Sequence, residues 1–449
     1  MTDLVLLLVT VLFVAVGFLS PFVLSLGYVW VDTLLPQRLS YSLLSTMPLA
    51  FIMGAGAVLS YLMNDRRDPP RITMVQVLAV VMALWITLTT TWAVAPIPAW
   101  IKWDPSFKTV IFTAFMPFVF RSRIQIESFV LVLIMAAAAH LLPWGFKTIV
   151  SGGGYEQSLG LMSVNSTFLA ESSAVSTITV MFIPLLWWIR AHSLLIPGAR
   201  VKTAMAAVMT GLYLIANIGT FARTGLVAIA VIAMGILLRT RRKVLFIAMA
   251  VVIGGGMTFF MSSRWEARIS TITDYEQESS ANDRLLIWQW TLGFAATHPL
   301  GGGFDAYVVN IFVRPDGSVQ RARAFHNIYF ATLGQHGFPG LAIYLAILGG
   351  SLLSLQKVMR RCRDRAELAW AGDLARASQL GLVILMVCGN FIDISFNFII
   401  WDMVALAMCL NAHVARVLAP VKELHPSMIA ALPDGRGRTG PGGVPAPYR

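Results

Sequence analysis

An all-α polytopic membrane protein is the fold class this sequence predicts, on three observations. Of its 449 residues, 57% are hydrophobic and 12% are charged, with a mean hydropathy of +0.72; soluble domains run roughly 45 to 50% apolar and 25% charged. Apolar runs of bilayer length, about 20 residues for a 30 Å hydrocarbon core, recur along the chain. The basic residues fall in short clusters in every second loop, which is the positive-inside signature. That clustering gives the formal charge of +12 a topological meaning and removes the case for a nucleic-acid partner.

The runs fall near 44–63, 74–94, 127–143, 173–189, 203–221, 225–238, 243–262, 338–356, 376–393 and 396–414, with a shorter one near 108–120. In the stretch 4–34, Ser20-Pro21 reads as a cap followed by a first-turn proline, so a short hairpin is expected in preference to one tilted span. The total is 12 or 13 spans, with 13 the better fit. Met1 to Leu19 lacks a basic n-region and an Ala-x-Ala-like site, and reads as a retained span. Cys362, Cys388 and Cys409 form no disulfide framework or metal spacing; no metal or cofactor is expected.

Arg66/Arg67/Arg71, Arg121/Arg123, Arg190/Arg200/Lys202, Arg239/Arg241/Arg242/Lys243 and Lys357/Arg360/Arg361/Arg363/Arg365 are assigned to the cytoplasmic side. Residues 95–107, 144–172, 263–325 and 394–395 then lie outside. The spans make one membrane domain, 1–415, followed by a cytoplasmic tail, 416–449, whose Gly/Pro-rich end is expected to be disordered. The 263–325 loop holds a predicted helix over 282–297. Ser279 or Ser280 would cap it, Leu285, Trp288, Leu292 and Ala295/Ala296 would form its apolar side, and His298-Pro299 would end it. No repeat relates the two halves, whereas many transporters carry inverted repeats.

Three polar residues stand at outer helix starts. Arg223, in Phe221-Ala-Arg-Thr-Gly225, opens a span that runs inward, where free backbone N–H groups and the dipole favour an anion and where Thr224 and Gly225 would let one approach; an arginine snorkelling to lipid headgroups is the alternative. Arg284 sits in the first turns of the loop helix, a place unfavourable for a cation unless an anion offsets it; an ordinary solvated arginine is the alternative. Arg264 and Arg268 are similar to it. His326 precedes Asn327 at a membrane entry, and residues 327–356 as one helix would span about 45 Å. Gly337, Pro339 and Gly340 predict a break that leaves a short interfacial helix beside His326. A largely neutral imidazole there could accept a hydroxyl proton; a headgroup-level histidine with a structural hydrogen bond is the alternative. Ser151-Gly-Gly-Gly154 and Gly301-Gly-Gly303 read as loop glycines and not as a P-loop.

Arg223-Thr-Gly225 at the start of a span, a long outer loop, and then His326-Asn327 followed after nine residues by Gly337-x-x-Gly340 together resemble the O-antigen ligase and polymerase superfamily of bacterial inner membranes. Three stretches, Trp30 to Leu39, Gly145 to Tyr155 and Asp274 to Trp288, with the His-Asn segment itself, look similar to the O-glycosylation ligases associated with exosortase A systems. The likeness covers most of residues 1–415. It implies a metal-independent, GT-C-like transferase of the inner membrane with its site on the periplasmic side. The donor implied is an undecaprenyl-diphosphate-linked glycan and the acceptor a lipid, protein or polysaccharide hydroxyl. Arg223 and Arg284 would hold the diphosphate and His326 would be the base. Glu171-Ser172-Ser173 stands where the family usually reads Asp-Asn-Asn, and Gln335 where the subfamily often has Glu. A polymerase of the same superfamily, or a transporter of the lipid-linked glycan, are the alternative functions.

Overall fold

The computed structural model describes residues 2–40, 44–151, 171–238, 279–313 and 319–419. Helices α1 (Thr2–Gly17) and α2 (Pro21–Leu34) are separate, so the stretch 4–34 folds as the hairpin that Ser20-Pro21 announces. A single turn, α3 (Pro36–Leu39), leads to α4 (Leu49–Asn64), α5 (Met74–Thr91), α6 (Pro96–Val119), α7 (Arg123–Ser151), α8 (Ser172–His192), α9 (Ala199–Gly219) and α10 (Arg223–Leu237). After α11 (Ser279–Thr297) comes a short hairpin, β1 (Ile311–Val313) against β2 (Val319–Arg321), with Ile311 opposite Arg321. Three long helices close the chain: α12 (Ile328–Cys362), α13 (Ala369–Cys388) and α14 (Phe398–Val417).

Among the described residues, seven helices are long and apolar enough to cross a membrane and four shorter ones are apolar. The protein is an all-α polytopic membrane protein. The apolar run at 243–262, the first part of the 263–325 loop with Arg264 and Arg268, and the end of the tail lie outside the described residues. Burial orders the bundle: 89% of the apolar window of α14 is enclosed, against 33% for α9 and for α12, so α14 is the central post. Three of the five basic clusters meet at one end of the bundle. There Arg123 Nη2 donates to the carbonyl of His192, Arg121 Nη2 donates to that of Asp68, and the Arg123 guanidinium lies 5.2 Å from the Trp370 ring centre.

Two local expectations are corrected. Residues 96–107 are helical and continuous with the apolar run after them; Pro96 suits a first turn, and the Lys108–Asp104 pair one turn apart supports the polar half. Helix α11 is described from Ser279, and the side chains of Ser279 and Ser280, expected as its cap, lie outside the described residues. Its packed face overlaps the expected one only in part: Ala295 is buried and Trp288 packs, joined by the buried Ile287 and Thr291, whereas Leu285 and Leu292 are 43% and 53% exposed. Its partner decides this. Trp288 stacks on Phe330 at 5.2 Å and 6° and donates to the carbonyl of Phe325 at 3.1 Å, which turns the 287–291–295 row inward.

The feature that positions the site is the break in α12. Gly337 has φ 69° and ψ −170°, a conformation that a side chain would not tolerate. A Cβ there would stand 2.2 Å from the carbonyl oxygen of Pro299, and one on Gly301 would stand 2.5 Å from the carbonyl of Gln335. The glycines let segment 299–303 dock into the gap. Pro339 has no N–H for Gln335 O, and that carbonyl instead accepts from Gly303 N at 2.8 Å. Gly334 O accepts from Gly302 N and Phe338 N donates to Pro299 O, both at 3.0 Å, while His336 O accepts from Trp85 Nε1 at 2.8 Å. The carbonyls of Gly334, Gln335 and His336 at the break are thus satisfied, as buried polar backbone requires.

Candidate active site

His326 is held at the mouth of a cavity of ≈ 650 Å³. The chain reaches it through a clamped loop. Asn310 is buried, donates to the carbonyl of Arg323 at 2.8 Å and accepts from its amide at 2.9 Å. Phe325 is fully buried, with Tyr307 edge-on at 5.7 Å. His326 itself has φ 47°, a left-handed conformation uncommon for a residue with a side chain. Asn327 then caps α12: its Oδ1 accepts from the amides of Tyr329 at 2.8 Å and Phe330 at 3.1 Å, and its Nδ2 donates to the carbonyl of Asn390 at 3.2 Å. The role of Asn327 is therefore to cap the helix and fix the imidazole that precedes it.

Opposite His326 stands Glu171, the residue before α8. Its Oε1 lies 3.4 Å from His326 Nδ1, with the two side chains 36% and 39% exposed. That is ion-pair range and longer than a good hydrogen bond. A carboxylate on Nδ1 favours the tautomer that leaves Nε2 with its lone pair outward. Glu171 is thus the carboxylate that faces the histidine.

Deeper in the cavity, Lys102 Nζ lies 2.8 Å from Asp305 Oδ1 and 4.0 Å from Asp393 Oδ2. Burial works against the ammonium's charge, but Asp393 and Asp305 more than offset it, and its pKa is raised above the ordinary lysine value. Asp393 also accepts from Ser395 Oγ at 3.1 Å, and Asp32 from Thr109 Oγ1 at 3.1 Å. Asp32, Arg38, Lys102 and Asp393 line the cavity, and sequence reasoning missed all four. Asp32 carried a usable signal, being a charge inside an apolar helix, whereas Lys102 falls in the polar first half of α6. Asp393 had none, since a two-residue outer loop at 394–395 reads as a bare connection.

Arg223 and Arg284 are not among the described residues lining this cavity. Arg223 is nevertheless the first residue of α10, whose cap position, Ala222, offers no side-chain acceptor. Its neighbour Thr224 is buried and its carbonyl accepts from Cys388 Sγ at 3.8 Å, while the next residue of that segment, Gly389, accepts from Ile328 N at 2.8 Å. The starts of α10 and α12 thus flank the same end of α13. Gly225 packs closely against α9, where a Cβ would meet Asn217 Oδ1 at 2.8 Å. Gln335 is fully buried beside the break and does not line the cavity. Gly340 admits Trp85, whose Nε1 would stand 3.1 Å from a Cβ.

Residues 206–345 match the family described as O-Antigen ligase, and residues 1–194 match a family of unknown function (DUF5935). No curated protein matches the chain. The first match spans Arg223, Arg284, His326 and the break in α12. It supports a glycosyl-transfer enzyme of ligase or polymerase type and a lipid-linked glycan as the kind of substrate.

Proposed function

We propose that this protein transfers a glycan from an undecaprenyl-diphosphate carrier to an acceptor hydroxyl, in the manner of an O-antigen or O-glycosylation ligase of the exosortase-associated kind, at the periplasmic face of a bacterial inner membrane. The observation that carries the reading is His326, locked by its own helix cap, facing Glu171 across the mouth of a polar cavity. In the proposed reaction the acceptor oxygen attacks the anomeric carbon, its proton passes to His326 Nε2, and the bond from that carbon to the diphosphate oxygen breaks with inversion. Glu171 orients the imidazole through Nδ1. Arg223 and Arg284 offset the charge that develops on the leaving diphosphate. Guanidiniums suit this through paired N–H donors, and a group aimed in advance at developing charge is worth more in a site that excludes water. No cofactor is assigned a step.

The test is purified protein with a lipid-linked donor and a hydroxyl acceptor, followed by gel. H326A is expected to lower transfer by about 10²- to 10⁴-fold, the range of general-base catalysis, and R223A to weaken donor use. Full product in both variants at equal expression would sink the mechanism. A polymerase accepts a second lipid-linked repeat, so elongation of the donor without added acceptor would assign the chain to that branch of the family. Conversion in detergent, with no second compartment, separates either reading from pure transport.

A further inference from the structure

At the end of the bundle away from His326, where the basic loops meet, one arginine is sunk into the protein without its full set of partners. Arg121, between α6 and α7, is only 7% exposed. Its Nη2 donates to the carbonyl of Asp68, but Nε and Nη1 are buried with no hydrogen-bond partner among the described residues. Two more guanidiniums approach it. Arg416, exposed at the end of α14, donates from Nη1 to the carbonyl of Arg121 at 3.0 Å, beside His413 Nδ1 on the same oxygen at 2.8 Å. Arg67, with a side chain 43% exposed, is paired with the almost fully buried Asp65.

Burial and, after it, the charge of Arg67 both depress the pKa of Arg121, which Asp65 and Asp68 offset in part. A sunken cation with unmade donors and like-charged neighbours is unfavourable unless an anion completes it. We propose that Arg121, with Arg67 and Arg416 on its exposed flanks, is a binding site for a phosphate group. Guanidinium N–H groups match phosphate oxygens in pairs. The basic end of a membrane bundle lies at headgroup depth, where an anionic phospholipid and a free ion offer the same phosphate chemistry. The site is independent of the glycosyl-transfer reading and of the cavity at His326.

The full chain, purified and stripped of lipid in detergent, is melted by tryptophan fluorescence with added phosphatidylglycerol, phosphatidylcholine or inorganic phosphate. Phosphatidylglycerol is expected to raise the midpoint at concentrations where phosphatidylcholine does nothing. Each guanidinium removed in R67Q and R416Q should raise the concentration needed by about tenfold. R360Q/R361Q, on another basic stretch, should leave the response unchanged. Inorganic phosphate acting as well as phosphatidylglycerol would support a free-ion site; phosphatidylglycerol alone would support a headgroup site. No response to either anion, or an equal loss in R360Q/R361Q, overturns the proposal. The exposed pair carries the test because R121Q removes a buried group and so perturbs folding as well as binding.

Discussion

Replacing Gly337 by alanine tests whether the break in α12 is built by backbone packing or merely permitted by proline. The new Cβ would stand 2.2 Å from Pro299 O, 2.5 Å from the carbonyl carbon of Leu300 and 2.6 Å from Gly301 N. All three are backbone atoms, so no side-chain rotation relieves the clash. Holding alanine at φ 69° and ψ −170° costs about 1–3 kcal/mol, and overpacking adds about 1–3 kcal/mol. The cheapest relief is to undock segment 299–303, which forfeits the bonds from Gly302 N to Gly334 O and from Gly303 N to Gln335 O. G337A is therefore expected to melt well below the native protein in detergent, and transfer should fall with it, because the same segment carries Asp305 to Lys102. P339A is the control. It restores an N–H, but Gln335 O is already taken by Gly303, so its midpoint should move by less than about 1 kcal/mol-equivalent. G337A with native stability and native transfer, or P339A as damaging as G337A, would refute the reasoning.

N327A removes the cap from Tyr329 N and Phe330 N and is expected to cost about 1 kcal/mol, with a loss of transfer that N327D recovers, because a carboxylate accepts the same two bonds; thermal melts and the transfer assay read both. E171Q should lower transfer by about tenfold, less than H326A, because His326, the proposed base, itself remains; native turnover in E171Q would remove Glu171 from the site. K102M leaves Asp305 and Asp393 facing each other without a cation and should destabilise by about 1–3 kcal/mol. Since the native ammonium's pKa is raised, its contribution is complete at neutral pH and is lost only as pH climbs past the ordinary lysine value of about 10.4. The gap between native and K102M melting should accordingly stay level from about pH 6 to 9; a gap that closes within that window would exclude the ion pairs as its source.

The helices were readable because each is an apolar run of bilayer length, and a run needs no tertiary information to be seen. Ser20-Pro21 and Gly337-x-Pro339 marked breaks for equally local reasons, in φ restriction and missing donors. The face of α11 was readable only in part: Trp288 and Ala295 do pack, but Leu285 and Leu292 are as apolar as the buried Ile287 and only Trp288 on Phe330 selects between them. His326 could be singled out because an imidazole beside an asparagine cap is a chemical oddity at a membrane entry. Lys102 and Asp393 could not be joined to it, because 291 residues of sequence, from 102 to 393, separate two charges that only the packing of α6 near α14 brings into one cavity. At Gly225 the sequence context suggested room for a ligand, and the structure sets Asn217 close against it.

The cavity is assembled from three parts of the chain that no single family match covers. Asp32, Arg38, Lys102 and Glu171 come from within residues 1–194, His326 from within 206–345, and Asp393 to Phe398 from the stretch after both. A chimaera that exchanged only the O-antigen ligase segment would import a new histidine mouth onto an old floor, with Asp305 of one parent facing Lys102 of the other. Grafting specificity between relatives of this protein accordingly demands that residues 389–398 and the cavity face of α6 travel together with the histidine segment, as one transplanted unit.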